Sequence, residues 1–151
     1  MERVIFACLH NAGRSQMAAA FFSQIADPER AEAISAGTQP VERVHPEVVA
    51  VMREVGIDVS GNRPQLLTDG LARGAALLIT MGCGDQCPYV PGMQRDDWSL
   101  EDPKDQPLDA VRAVRDEIRR RVVRLIESRG WGRTSVSSEP LASSLAPSKP
   151  R

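Results

Sequence analysis

A chain of 151 residues, 42% hydrophobic and 26% charged, is long enough for one domain with its own core. Its net charge of −1 excludes a strong general attraction to nucleic acid or to a membrane surface. No apolar run approaches the roughly 18 residues of a membrane-spanning helix, and Met1–Ala7 is too short and too charged for a signal peptide. A cytoplasmic protein with reduced thiols is therefore expected, and a monomer is the default expectation. The three cysteines are an odd number, which argues against a static disulfide framework and towards reactive thiols or a metal site.

Residues 3–7 read as a buried strand, followed by a loop from Cys8 to Arg14. Met17, Phe21 and Ile25, with Ala18 and Phe22 beside them, recur at helical spacing, and Asp27-Pro28 ends that helix. Ala33–Gly37 reads as a second strand closed by glycine. His45-Pro46 opens a helix with proline at its first position. Val48, Val49, Met52 and Val55 form its apolar face, Gly56 stops it, and His45 is assigned to its terminus. A turn spans Ser60 to Pro64, and residues 65–72 are expected to form a short helix.

The run from Ala75 to Met81 is the clearest buried strand. A polar loop carrying Cys83 and Cys87 follows, and then a fourth strand over Gln94–Trp98. Val111, Val114, Ile118, Val122 and Leu125 mark a long amphipathic helix from Leu108 to about Ile126. Trp98 and Trp131 are read as packing residues. Alternating strands and helices imply an α/β fold, a parallel sheet with helices on both faces. A catalytic domain is expected over residues 1–132, and a disordered Ser/Pro-rich tail over 133–151. In such folds chemistry gathers beyond the carboxyl ends of the strands, where Cys8, Cys83 and Asp102 would share one edge.

The segment Cys8-Leu9-His10-Asn11-Ala12-Gly13-Arg14-Ser15 lies between strand and helix. Five residues between Cys8 and Arg14 can wrap so that successive backbone N–H groups converge on a tetrahedral oxyanion. The helix that follows adds the positive end of its dipole, and Arg14 adds a two-pronged donor. Gly13 permits tight curvature, and Asn11 tolerates a left-handed backbone. The same field favours a thiolate at Cys8, and the Ser15 hydroxyl can donate to it. His10 is expected to point outward. In a chain with 17 arginines the Cys-x5-Arg spacing is weak by itself and gains weight from Ser15 and the strand–helix context. A buried core cysteine at a strand end is the alternative.

Cys8-x5-Arg14-Ser15 near the start, with Asp102-Pro103 late in the chain, resembles the low-molecular-weight protein tyrosine phosphatase superfamily. The stretch from His10 to Ala18, with Cys83 and Cys87-Pro88, is more narrowly similar to the thioredoxin-coupled arsenate reductases of that superfamily. The resemblance covers roughly residues 3–130. It implies a four-stranded parallel sheet in the order 2-1-3-4.

It also implies a thiol relay. Cys8 attacks arsenate while Asp102 protonates the departing oxygen. Cys83 then attacks Cys8 and releases arsenite, and Cys87 attacks Cys83. Thioredoxin or a low-molecular-weight thiol recycles the pair, with no bound cofactor. Residues four apart in a helical turn have α-carbons roughly 6 Å apart, inside the disulfide window of about 4.4–6.8 Å. The spacing of Cys83 and Cys87 is nevertheless tighter than is usual among thioredoxin-coupled members. Gly82 and Gly84 suit a loop that must change shape. Some such reductases carry a cation site with a carboxylate in the first helix, and Ala19 stands about there in this chain, so no metal is expected.

Alternatives remain for these residues. Cys83 and Cys87 could be zinc ligands or inert loop cysteines. Asp102-Pro103 could be an ordinary turn, with Asp96, Asp97 and Glu101 as weaker candidates for an acid. At the level of function, a phosphatase working through phosphocysteine or a non-enzymatic arsenite or metal sensor compete with the reductase. The single tyrosine, Tyr89, weakens the phosphotyrosine reading.

Overall fold

In the computed structural model, residues 1–81 and 93–133 are described. The expected roles of Cys83 and Cys87, and the expected disorder of the tail beyond Arg133, lie outside those residues. Eight elements follow one another: β1 (Glu2–Cys8), α1 (Arg14–Ile25), β2 (Ala31–Gly37), α2 (Pro46–Arg53), α3 (Asp69–Arg73), β3 (Leu77–Thr80), β4 (Gln94–Asp97) and α4 (Leu108–Arg129). The strands form one sheet in the order β2-β1-β3-β4, and every pairing is parallel. This is the α/β fold and strand order that the family resemblance implies.

The chain leaves β1 to build β2 on one side and returns to build β3 on the other. That reversal leaves a crevice beyond the carboxyl end of β1, where ligands collect in open parallel sheets. Central β1 is apolar throughout its buried stretch, as a strand covered on both faces must be. Val4 and Phe6 face the larger core with Met17, Phe21 and Phe22 of α1, Val48 and Met52 of α2, and Val111, Ile118 and Val122 of α4. Ile5 and Ala7 face the other way, onto Ala36, Leu67 and Leu78. Trp98 and Trp131 are buried packing residues, as expected; they meet Phe6 and Phe22 at ring separations of 5.6 and 5.9 Å.

Two local expectations need correcting. The helix expected over 65–72 occupies Asp69–Arg73 instead. Gln65 and Leu67 are extended because their backbone groups bracket Gly37: the Gly37 N–H donates to Gln65 O at 2.9 Å, and the Leu67 N–H donates to Gly37 O at 2.8 Å. Thr68 then starts the helix, its Oγ1 accepting from the Leu71 N–H at 3.1 Å, as an N-cap threonine does.

The buried face of α2 is Val48, Val51 and Met52, and Val55 is exposed. The helix ends at Arg53 with Glu54 as its cap, and Gly56 takes the left-handed turn beyond it (φ 82°). Glu54 is directed to α4, where the Arg112 hydrogen bonds, aided by Arg115, hold its carboxyl down at about 2.

Gly37 is needed for a different reason. A β-carbon there would lie 2.7 Å from Leu9 O and 2.8 Å from Asn11 N, both main-chain atoms that cannot swing aside. Gly37→Ala is expected to lower stability by about 1–3 kcal/mol, the usual cost of overpacking, and to weaken anion binding by the Cys8–Arg14 loop. Denaturant unfolding and phosphate titration measure the two effects; wild-type values in both would show that the contact relaxes freely.

Candidate active site

The loop from Cys8 to Arg14 closes the gap between β1 and α1. Asn11 is left-handed (φ 53°), the conformation anticipated for it and one that asparagine tolerates better than most residues. The carbonyl oxygens of the loop are all occupied. Those of Cys8, Leu9, His10 and Ala12 accept from the N–H groups of Thr38, Gln39, Val41 and His45, and Gly13 O accepts from the Met17 N–H. Asn11 O accepts from Gln16 Nε2 at 3.0 Å. Among the described residues no acceptor takes the N–H groups of Leu9 through Arg14. Amides without an acceptor, in a loop that runs into a helix N-terminus, suit an anion.

Cys8 is the last residue of β1, 3% exposed, with a free thiol. Its Sγ lies 2.8 Å from Ser15 Oγ. The same hydroxyl accepts from Asn11 Nδ2 at 2.8 Å, which leaves its one proton for the sulfur. Asn11 is braced in turn, since its Oδ1 accepts from the Gln65 N–H at 2.9 Å. Asn11 and Ser15 are fully buried, so this chain of bonds is shielded from competing water.

Arg14 donates through Nη1 to Leu100 O at 3.0 Å. Its Nη2 lies 3.7 Å from Asp102 Oδ2. Among the described residues its Nε is buried without a partner, an expensive state for a cationic donor unless a ligand completes it. Asp102 follows β4 on the loop opposite, half-exposed, and its Oδ1 accepts from the Lys104 N–H at 3.0 Å. Pro103 seats that loop on the Cys8–Arg14 loop, since a β-carbon on Gly13 would lie 3.1 Å from Pro103 Cγ. Cys8, Arg14 and Asp102 thus line one small concavity together with His10, Ala12, Gly13 and His45.

Both histidines depart from expectation. His10 is half-buried against the concavity rather than turned outward. His45 occupies the N-cap position of α2 but makes no side-chain cap, and its ring meets His10 edge-on at 6.4 Å. Burial pushes the His45 imidazole below its ordinary value, against the opposing pull of Glu47 and Asp102. The Arg14 guanidinium is the permanent positive charge on the cradle. Gln16 and Gly37 also shape the loop. Only their proximity to Arg14-Ser15 and to the end of a strand marks them in the sequence.

Among the described residues no three His, Cys, Asp or Glu side chains gather as a metal set. No helix there is long and apolar enough to cross a membrane.

The low-molecular-weight phosphotyrosine protein phosphatase family model matches residues 3–134. A glutaredoxin arsenate reductase from Synechocystis sp. is 38% identical over 129 residues, which cover 83% of this chain and 97% of that one. A structure of a Corynebacterium glutamicum thioredoxin-dependent arsenate reductase matches with 40% identity and a TM-score of 0.74, over 85% of this chain and 61% of that one. This chain therefore spans about three fifths of the Corynebacterium protein. An arsenate reductase solved in its oxidised state matches with 36% identity and a TM-score of 0.75, over 85% and 98% of the two chains. The chain belongs to the low-molecular-weight phosphotyrosine protein phosphatase family, on the branch that holds these arsenate reductases.

Proposed function

We propose that this protein reduces arsenate to arsenite through a cysteine relay, recycled by thioredoxin or a glutaredoxin-type thiol. The observation that carries the reading is the Cys8 sulfur, hydrogen-bonded to Ser15 at the floor of a loop whose Arg14 Nε has no partner among the described residues. A tetrahedral oxyanion would take the free amides of residues 9–14 and the open edge of Arg14.

In the first step the Cys8 thiolate forms a sulfur–arsenic bond. An oxygen leaves as water with a proton supplied by Asp102, the carboxyl group that faces Arg14. Cys83 then attacks Cys8 Sγ. The sulfur–arsenic bond breaks, its electron pair stays on arsenic, and arsenite departs while a Cys8–Cys83 disulfide forms. Cys87 attacks Cys83 and frees Cys8 as a thiolate. The external dithiol reduces the Cys83–Cys87 disulfide and is itself oxidised, so two electrons pass from it to arsenic in each cycle. Such a cycle belongs in a compartment that keeps thiols reduced, with the protein acting as a monomer.

Hydrolysis of a phosphomonoester needs Cys8, Arg14 and Asp102 but neither downstream cysteine, so Cys83→Ala separates the two reactions. Arsenate turnover is followed with thioredoxin, thioredoxin reductase and NADPH, alongside release of phosphate from an aryl phosphate. The wild type is expected to turn over arsenate, and Cys83→Ala to lose that turnover while keeping any slow hydrolysis. Undiminished arsenate turnover by Cys83→Ala under thioredoxin would overturn the relay. Full rates with glutathione or mycothiol alone would instead name a low-molecular-weight thiol as the reductant.

A further inference from the structure

Six carbonyl oxygens run from Cys8 to Gly13, and each has a donor outside the anion cradle. Five of those donors are main-chain N–H groups, which no substitution other than proline removes. The sixth is different: Asn11 O is held by Gln16 Nε2 at 3.0 Å.

The peptide bond is planar and trans, so the Asn11 carbonyl and the Ala12 N–H point in opposite directions. Asn11 is also the loop residue with a left-handed backbone, a region that asparagine tolerates but glycine alone occupies freely. Rotation of the Asn11–Ala12 peptide would turn a carbonyl oxygen towards the space an oxyanion needs and withdraw an amide from it. The Gln16 side chain is well placed to prevent this. It is 3% exposed, and its Oε1 accepts from Asn62 Nδ2 at 3.2 Å, which sets which end of the amide meets Asn11.

We infer that Gln16 is a positioning residue of the oxyanion site: its amide pins the Asn11 carbonyl outward and so keeps the Ala12 N–H directed at the bound anion. The inference rests on the reading of the Cys8–Arg14 loop as an oxyanion cradle. Gln16 itself touches neither Cys8 nor, on this reading, the substrate.

The test is the affinity for inorganic phosphate, by calorimetry, of the full chain as wild type, Gln16→Met, Gln16→Glu and Asn62→Ala. Gln16→Met keeps the length and apolar stem but cannot donate. It is expected to weaken phosphate about tenfold or more, the scale of one lost polar interaction in a buried site. Gln16→Glu supplies a readout that simple loss of packing would not move. Its carboxylate cannot donate to Asn11 O, whereas its protonated acid can. Burial at this position raises a carboxyl above its ordinary range, so the affinity relative to wild type at the same pH is expected to be poor at pH 8 and to recover towards pH 5.5; the ratio cancels the titration of phosphate itself.

Phosphate affinity of Gln16→Met within twofold of wild type would overturn the inference, as would a pH-independent ratio for Gln16→Glu. If neither Gln16 variant folds, Asn62→Ala decides. It alters an exposed residue, and an affinity indistinguishable from wild type would sink the proposal. A wild-type chain that binds neither phosphate nor arsenate would instead refute the cradle itself.

Discussion

Cys8→Ser is expected to abolish arsenate reduction, with a loss on the order of 10⁴-fold or more, the scale seen when a covalent nucleophile is removed. The physical reason is double. A serine hydroxyl is not ionised near neutral pH and attacks poorly, and its oxygen cannot form the disulfide through which Cys83 would complete the relay. Phosphate binding should survive, because the cradle consists of backbone amides and Arg14. The pairing of lost turnover with retained binding distinguishes removal of a nucleophile from collapse of the loop. Thioredoxin-coupled NADPH oxidation and phosphate calorimetry on the same preparation provide the two readings. Residual turnover above about a thousandth of wild type would mean that another thiol makes the first attack.

Arg14→Lys is the second large effect. Lysine keeps the charge but not the fork. In this structure the fork is already divided among tasks: Nη1 holds Leu100 O, Nη2 faces Asp102, and Nε is left unpartnered among the described residues. An ammonium group cannot hold the 100–102 loop and complete the oxyanion at the same time. The kcat/KM for arsenate is expected to fall about 10²–10³-fold, as when one oxyanion donor is removed, with phosphate affinity falling in parallel. Steady-state kinetics and phosphate inhibition check it. A loss smaller than tenfold would show that charge alone suffices, and that the free Nε is not part of the anion site.

The local part of the site was readable along the chain, and the reason is contiguity. Cys8, Asn11, Gly13, Arg14 and Ser15 belong to one strand–loop–helix unit, whose spacing dictates its geometry. The left-handed Asn11 and the Cys8–Ser15 contact follow from that spacing. What the sequence did not disclose comes from a distance. The donors that clamp the loop lie at Thr38, Gln39, Val41 and His45, and Gln65 reaches Asn11 from 54 residues away. Nothing in the composition of 38–45 marks a backbone clamp, because the clamp uses no side chains. His-Pro is a credible helix start, so the sequence assigns His45 to its helix, and its neighbour His10 is close only in the folded chain.

The extended backbone at Gln65 and Leu67 was hidden similarly, by a pairing with Gly37 that outweighed local helical preference. Thr68-Asp69 did carry a usable signal for where that helix begins. In the fold as a whole, the apolar periods of β1, α1 and α4 placed the layers. The order of the strands came from the family resemblance.

The main-chain clamp has an evolutionary consequence. Four of the six loop carbonyls are held by amides of the 38–45 segment, and every amino acid except proline supplies such an amide. Exposed Val41, Glu42 and Arg43 can therefore be exchanged generation after generation while the clamp stays intact. A lineage built this way can explore new substrates and docking partners at its rim while its central chemistry is inherited unchanged.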